Sequence, residues 1–281
     1  MRRSLALPLV VAALGVLALA QASLAVGPSL GAFDSRSIAN TGSSVSYFVK
    51  LAKGGEATVV EQRSHGRTLK SLTLTNGWGI QMVALSGQVT GLSPNGRVLV
   101  LSDNIEPSGY LRSSSQFVVV DTQTMKVQTV LRLHGDYSVD ALSPDGRLLY
   151  LIHHISKKDL TRYQVVGYDL STETMLPGVI ADKRQASWIM KGFAISRATT
   201  RSGDWVYTFY QESDNYPFVH ALDAANHTAL CIGIPANWVG NAAAWISSAH
   251  ISLVHGKLRI ATRDGAVRYL MDTKTFRVST P

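Results

Sequence analysis

One unit recurs along this 281-residue chain, and its clearest copy is residues 141–175, ALSPDGRLLYLIHHISKKDLTRYQVVGYDLSTETM. Ala141 and Leu142 end one apolar segment. Ser143-Pro144-Asp145-Gly146 then reads as a tight turn. Proline presets φ at an early turn position, aspartate bonds its local backbone, and glycine takes positive φ without steric cost. Residues 148–152 are apolar on both alternating faces, as in a strand covered on both sides. A third strand runs from Gln164 to Asp169, and Asp169-Leu170-Ser171-Thr172-Glu173-Thr174 makes a second turn rich in side chains that bond the backbone.

Copies follow at regular intervals. GLSPNGRVLVL (91–101) repeats the first turn, with Pro94 50 residues before Pro144. FVVVDTQTMKVQTV (117–130) repeats the second, with Asp121 48 residues before Asp169. The second turn returns at Asp223, 54 residues on, and at Asp272 after another 49. A period near 50 with four short strands per unit predicts an all-β fold, a β-propeller of four-stranded antiparallel blades. Five blades are expected. The first is read in outline from residues 45–75, the next three at about 82–134, 137–181 and 192–234, and the last at about 248–280. The segments SPDGRLLYL and VVGYDLSTETM resemble YVTN-type β-propeller repeats, and are similar to TolB-like and WD-type blades. The resemblance spans residues 45–281 and implies a fold that hosts many roles. It is incomplete: RATTRSGDWVYTFY replaces the SPDGR turn in the fourth unit, LVHGKLRIAT is all that remains in the fifth, and the first lacks an obvious innermost strand. Propellers often close by pairing strands from both chain ends, and 45–51 is the expected closing strand.

Residues 1–25 read as a secretory signal peptide: Arg2 and Arg3, an apolar run from Leu5 to Ala20, then small residues around Ala25. Residues 26–44 are rich in Gly and Ser and read as a flexible linker, leaving 45–281 as the propeller domain. The protein is therefore expected to be secreted, monomeric and without a membrane span once the leader is cleaved. Cleavage leaves 25 basic against 19 acidic residues, a net charge of +6. The basic residues are scattered, which argues against specific nucleic-acid binding and permits contact with anionic envelope polymers. Cys231 is the sole cysteine, so no internal disulfide forms; in the run Ala229-Leu230-Cys231-Ile232 it reads as a small buried hydrophobe.

Propeller geometry sorts the loops. The short SPDGR and Asp-x-x-Thr turns share one face. The long loops share the other, including 102–115, 153–161 and 211–217 and the connections 75–81, 181–191 and 235–248. Function resides preferentially on such loops. Trp78, Tyr110, Tyr216 and Trp238 are the candidate ligand-binding residues, flat surfaces that suit a glycan or a protein partner. Trp188 and Trp245 precede innermost strands at similar spacing and read as packing between blades. No metal-ligand spacing, nucleophile elbow or phosphate loop occurs, and no cofactor is implied. The expected role is a secreted, non-catalytic propeller binding a protein or a cell-envelope glycan or other polymer. The alternative is a lactonase-like or glycosidase-like hydrolase. It requires at least three of Asp103, Asp136, Asp140, His153, His154 and Asp214 to converge near the axis.

Overall fold

The computed structural model describes residues 30–103, 105, 110–184, 189–212, 217–236 and 245–281. The expected leader lies outside the described residues. Among the described residues the chain forms an all-β propeller of five blades, with a sixth sheet of three short strands. The short strand β1 (Ala32–Phe33) comes first, followed by blade 1: β2 (Arg36–Ile38), β3 (Val45–Leu51), β4 (Ala57–Ser64) and β5 (Arg67–Thr75). A hairpin of β6 (Ile80–Met82) and β7 (Val89–Thr90) precedes β8 (Val98–Ser102), β9 (Ser114–Asp121) and β10 (Lys126–His134) of blade 2. Blade 3 holds β11 (Asp136–Leu142), β12 (Leu148–His154), β13 (Arg162–Asp169) and β14 (Thr174–Met175), with β15 (Met190–Lys191) pairing the far end of β13. Blade 4 is β16 (Phe193–Thr199), β17 (Trp205–Gln211), β18 (Phe218–Asp223) and β19 (Thr228–Gly233). Blade 5 is β20 (His250–Val254), β21 (Lys257–Ala261), β22 (Val267–Asp272) and β23 (Val278–Ser279).

The turn chemistry explains the regularity. Asp121, Asp169, Asp223 and Asp272 each accept backbone N–H bonds from residues two or three positions on. Four residues after each aspartate the chain turns through positive φ, at Met125, Glu173, His227 and Phe276. In the first type of turn, Ser143 Oγ accepts the N–H of Leu148 at 2.9 Å, and Ser93 Oγ accepts that of Val98 at 2.9 Å. The divergent fourth unit keeps this geometry. Thr200 Oγ1 accepts from Trp205 N at 3.0 Å, and Gly203 stands where Gly146 does, at φ 80°.

Strand alternation feeds two interfaces at once. Leu148, Tyr150 and Ile152 of β12 pack toward blade 4, while Leu149 and Leu151 pack toward blade 2. Val118 and Val120 of β9 likewise face blade 1, and Phe117 and Val119 face blade 3. Four core clusters thus join blades 1–2, 2–3, 3–4 and 4–5, and among the described residues none joins blade 5 to blade 1. The outer face of blade 1 is polar instead. Glu61 pairs with Lys50 and Arg63, and the Arg63 guanidinium lies 4.1 Å from the centre of the Phe48 ring. A charged outer face is what a terminal unit of an array needs.

Two expectations fall here. Residues 30–44 are not a loose linker: Leu30, Ala32 and Ile38 are buried, and β1 and β2 pair into sheets. Strand 45–51 does not close a ring, because it pairs with β2 on one side and β4 on the other, all within blade 1. The Gly/Ser composition hid strands only two or three residues long. The axis is also occupied. Gly79 bridges Ser102 and Leu92 bridges Leu99, and the β6–β7 hairpin leaves the blade between them. Its tip reaches blade 4, where Leu85 N and Ser86 N donate to Ala194 O and Ile195 O at 2.9 and 3.0 Å.

Candidate functional site

The four candidate binding residues separate. Trp78 is 4% exposed and packs in the core between blades 1 and 2, its Nε1 donating to Thr75 O at 2.7 Å. Its Asn- and Gly-rich surroundings suggested exposure; its own ring finds the core. Tyr110 is 75% exposed. Tyr216 and Trp238 lie outside the described residues, as do Trp188 and Asp214. Trp245 packs against the core between blades 4 and 5, with Phe209 and Tyr269 about its ring.

Tyr110 stands on the loop between β8 and β9, two residues before Arg112. That arginine was not singled out from the sequence, because its partners are remote. Its Nε donates to Asp136 Oδ1 at 3.0 Å, its Nη1 to Asp103 Oδ1 at 3.0 Å, and its Nη2 to Tyr137 O. Its own backbone N–H adds a bond to Asp136 Oδ2 at 3.2 Å. Asp103 begins the same loop, whereas Asp136 begins the innermost strand of blade 3. One guanidinium therefore ties the loop base to a neighbouring blade, with two carboxylates accepting from it.

The histidines stand beside this hub. Asp136 is the cross-strand partner of His154, and Tyr137 that of His153. The Tyr137 and His153 rings stack at 4.3 Å. Burial lowers the pKa of His153, opposed by the charge of Asp136, and burial lowers that of His154 too. Both imidazoles are thus held neutral. Asp140, another candidate acid, is committed elsewhere: buried Arg197 of blade 4 bonds both its carboxylate and its carbonyl oxygen, and Arg197 Nε donates to Thr208 Oγ1 at 3.0 Å. Asp103 and Asp136 meet at Arg112, and Asp136 stands across the sheet from His154, whereas Asp140 does not join them. Among the described residues no three of His, Cys, Asp and Glu come together as a metal site.

Among the described residues, clefts open on the opposite face. One of about 250 Å³ opens among the first turns of blades 1 to 4, lined by Asn40, Gln88, Thr199 and Arg201. Another, of about 480 Å³, separates the turns of blades 3 and 4 and is lined by Asp145, Arg147, Asp169 and His227. In it the Asp169 carboxyl is held well below the usual range, first by its bond from Arg147. The turn face, plain in sequence, thus carries concavities of its own.

No family model matches this chain, and no curated protein does. Solved structures do match. A structure from a study of two prolyl endopeptidases aligns at TM-score 0.51 and 12% identity, over 90% of this chain and 37% of that one. A TolB from Agrobacterium tumefaciens aligns at TM-score 0.42 and 14% identity, over 72% of this chain and 70% of its own. The β-propeller domain of Cps50 (Swd1) from Myceliophteria thermophila gives 0.46 and 13%, over 87% and 64%. At 12% identity the first of these likenesses is one of fold.

Proposed function

We propose that this chain is an exported, non-catalytic β-propeller whose long-loop face binds a protein or a cell-envelope polymer. The observation that carries the reading is Tyr110, a broad aromatic 75% exposed, on a loop whose base Arg112 fixes to the next blade. An aromatic held on a rigid support loses little freedom when it binds. The engagement of Asp103 and Asp136 by Arg112 supports binding over hydrolysis, since a carboxylate bonded to a guanidinium is a poor proton donor for a leaving group. Export through residues 1–25 and action as a monomer belong to the same reading. No helix among the described residues is long and apolar enough to cross a membrane.

The test is to mix the purified protein with isolated envelope polysaccharide, then follow both co-sedimentation and release of soluble fragments. Co-sedimentation without fragments is expected. Release of fragments that stops in an Asp136→Asn variant would overturn the reading in favour of the hydrolase.

A further inference from the structure

Cys231 has neighbours that its sequence context hides. It lies on β19 directly across from His220 on β18, so both side chains leave the sheet on one face. There the Cys231 Sγ stands 3.6 Å from His220 Nδ1. Met190, from β15 at the end of blade 3, brings its Sδ to 3.7 Å from the same sulfur. His220 is 3% exposed and Met190 6% exposed, while Cys231 is partly exposed. Among the described residues the other ring nitrogen of His220 has no hydrogen-bond partner. The cluster is therefore an imidazole, a thioether and a thiol brought together by three separate strands.

The separations have a meaning. Donors about 2.3 Å (sulfur) and about 2.0 Å (nitrogen) from a common ion, at trigonal or tetrahedral angles, stand roughly 3.5–4 Å from one another. Both observed separations fall in that range. A thiol offers only a weak hydrogen bond to either neighbour, so hydrogen bonding alone gives a poor account of a buried imidazole placed here. We propose that Cys231, Met190 and His220 form a binding site for a soft monovalent metal ion of the copper(I) type.

Softness and charge both select the ion. Thiolate and thioether sulfurs favour copper(I) over harder ions. On binding, the thiol proton leaves to solvent and a sulfur–metal bond replaces the S–H bond; no electron is transferred. One thiolate, one neutral thioether and one neutral imidazole sum to a single negative charge. A monovalent cation makes the buried site neutral, whereas a divalent one leaves an uncompensated charge at a desolvation cost. Two of the nearby carboxylates are each compensated by an arginine, while the charge of Glu212 also acts on the thiol. Asp182 accepts the Cys231 backbone N–H at 2.9 Å, and it is itself paired with Arg184 at 2.6 Å. Asp140 is paired with Arg197. Burial raises the thiol to about 12 and lowers the imidazole to about 4, so without an ion the site rests as neutral thiol and neutral ring.

The experiment titrates the purified protein with copper(I) acetonitrile salt under anaerobic conditions, against a coloured copper(I) chelator, and repeats the titration with silver(I). X-ray absorption on the loaded protein reads the ligands. The expected result is one tightly held ion per chain, with two sulfur neighbours and one nitrogen. Cys231→Ser should weaken binding at least about 100-fold and Met190→Leu about 10-fold, in line with the loss of one ligand. Met190→Leu preserves volume, so it keeps the comparison valid if the cysteine variant folds poorly. Equal affinity in wild type and Met190→Leu, an absorption spectrum without sulfur neighbours, or zinc(II) displacing copper(I) at equal concentration would each overturn the proposal.

Discussion

Arg112 Nε lies 3.0 Å from Asp136 Oδ1, joining the long loop of blade 2 to the innermost strand of blade 3. The same guanidinium holds Asp103. Replacing Arg112 by Met leaves two carboxylates facing each other without a cation. The variant should lose about 1–3 kcal/mol of stability, measured by urea unfolding. An unchanged midpoint would mean that the hub contributes nothing to the blade 2–3 joint.

Asp140 and Arg197 form a second joint, between blades 3 and 4, and both are buried. Removing one member of such a pair strands the other. Asp140→Asn or Arg197→Met alone should cost about 3–5 kcal/mol, and the double replacement clearly less than the two together. A double-mutant cycle in denaturant reads the coupling; simple additivity would contradict it.

Gly203 turns through φ 80°, and a β-carbon there would come within 2.0 Å of Pro94 Cγ in the turn of blade 2. Gly203→Ala therefore meets both a left-handed backbone and a ring in a neighbouring blade. The expected loss is about 2 kcal/mol or more, seen as a lower melting temperature. Gly55→Ala, also at positive φ but with open space around it, should cost less.

His220 gives the protein a pH dependence with a definite sign. Burial lowers its pKa from 6.5 to about 4, with Asp140 opposing and Arg197 assisting. The unfolded chain then binds a proton between pH 6.5 and 4 that the folded chain refuses. The stability this group supplies is complete above about pH 6.5 and is lost as pH falls toward 4, up to about 3 kcal/mol. Buried His154 acts in the same direction. In a His220→Leu variant the fall in unfolding free energy across this window should be shallower. An equal slope would remove the argument.

Much of the fold was legible because the turns are local. Ser143 and Asp145 satisfy backbone groups within five residues, and Asp169 does so within three, so their types and spacing suffice. The fourth turn escaped recognition because Thr200 and Gly203 do the work of Ser143 and Gly146 without a proline between them. What was not legible is carried by contacts between distant segments. Trp78 is fixed by a core built from two blades, and Arg112 by an aspartate 24 positions away. Cys231 meets Met190 across 41 positions, a pairing that no local window reveals.

The central claim is that Tyr110, an exposed aromatic on the long-loop face beside the Arg112 anchor, does the binding. It is tested most directly by the affinity of wild type and Tyr110→Ala for isolated envelope polymer, with melting temperatures recorded alongside. The account predicts an affinity loss of about 10-fold or more with the fold retained, as for an exposed aromatic that anchors a contact. Equal affinity in the two proteins would contradict it.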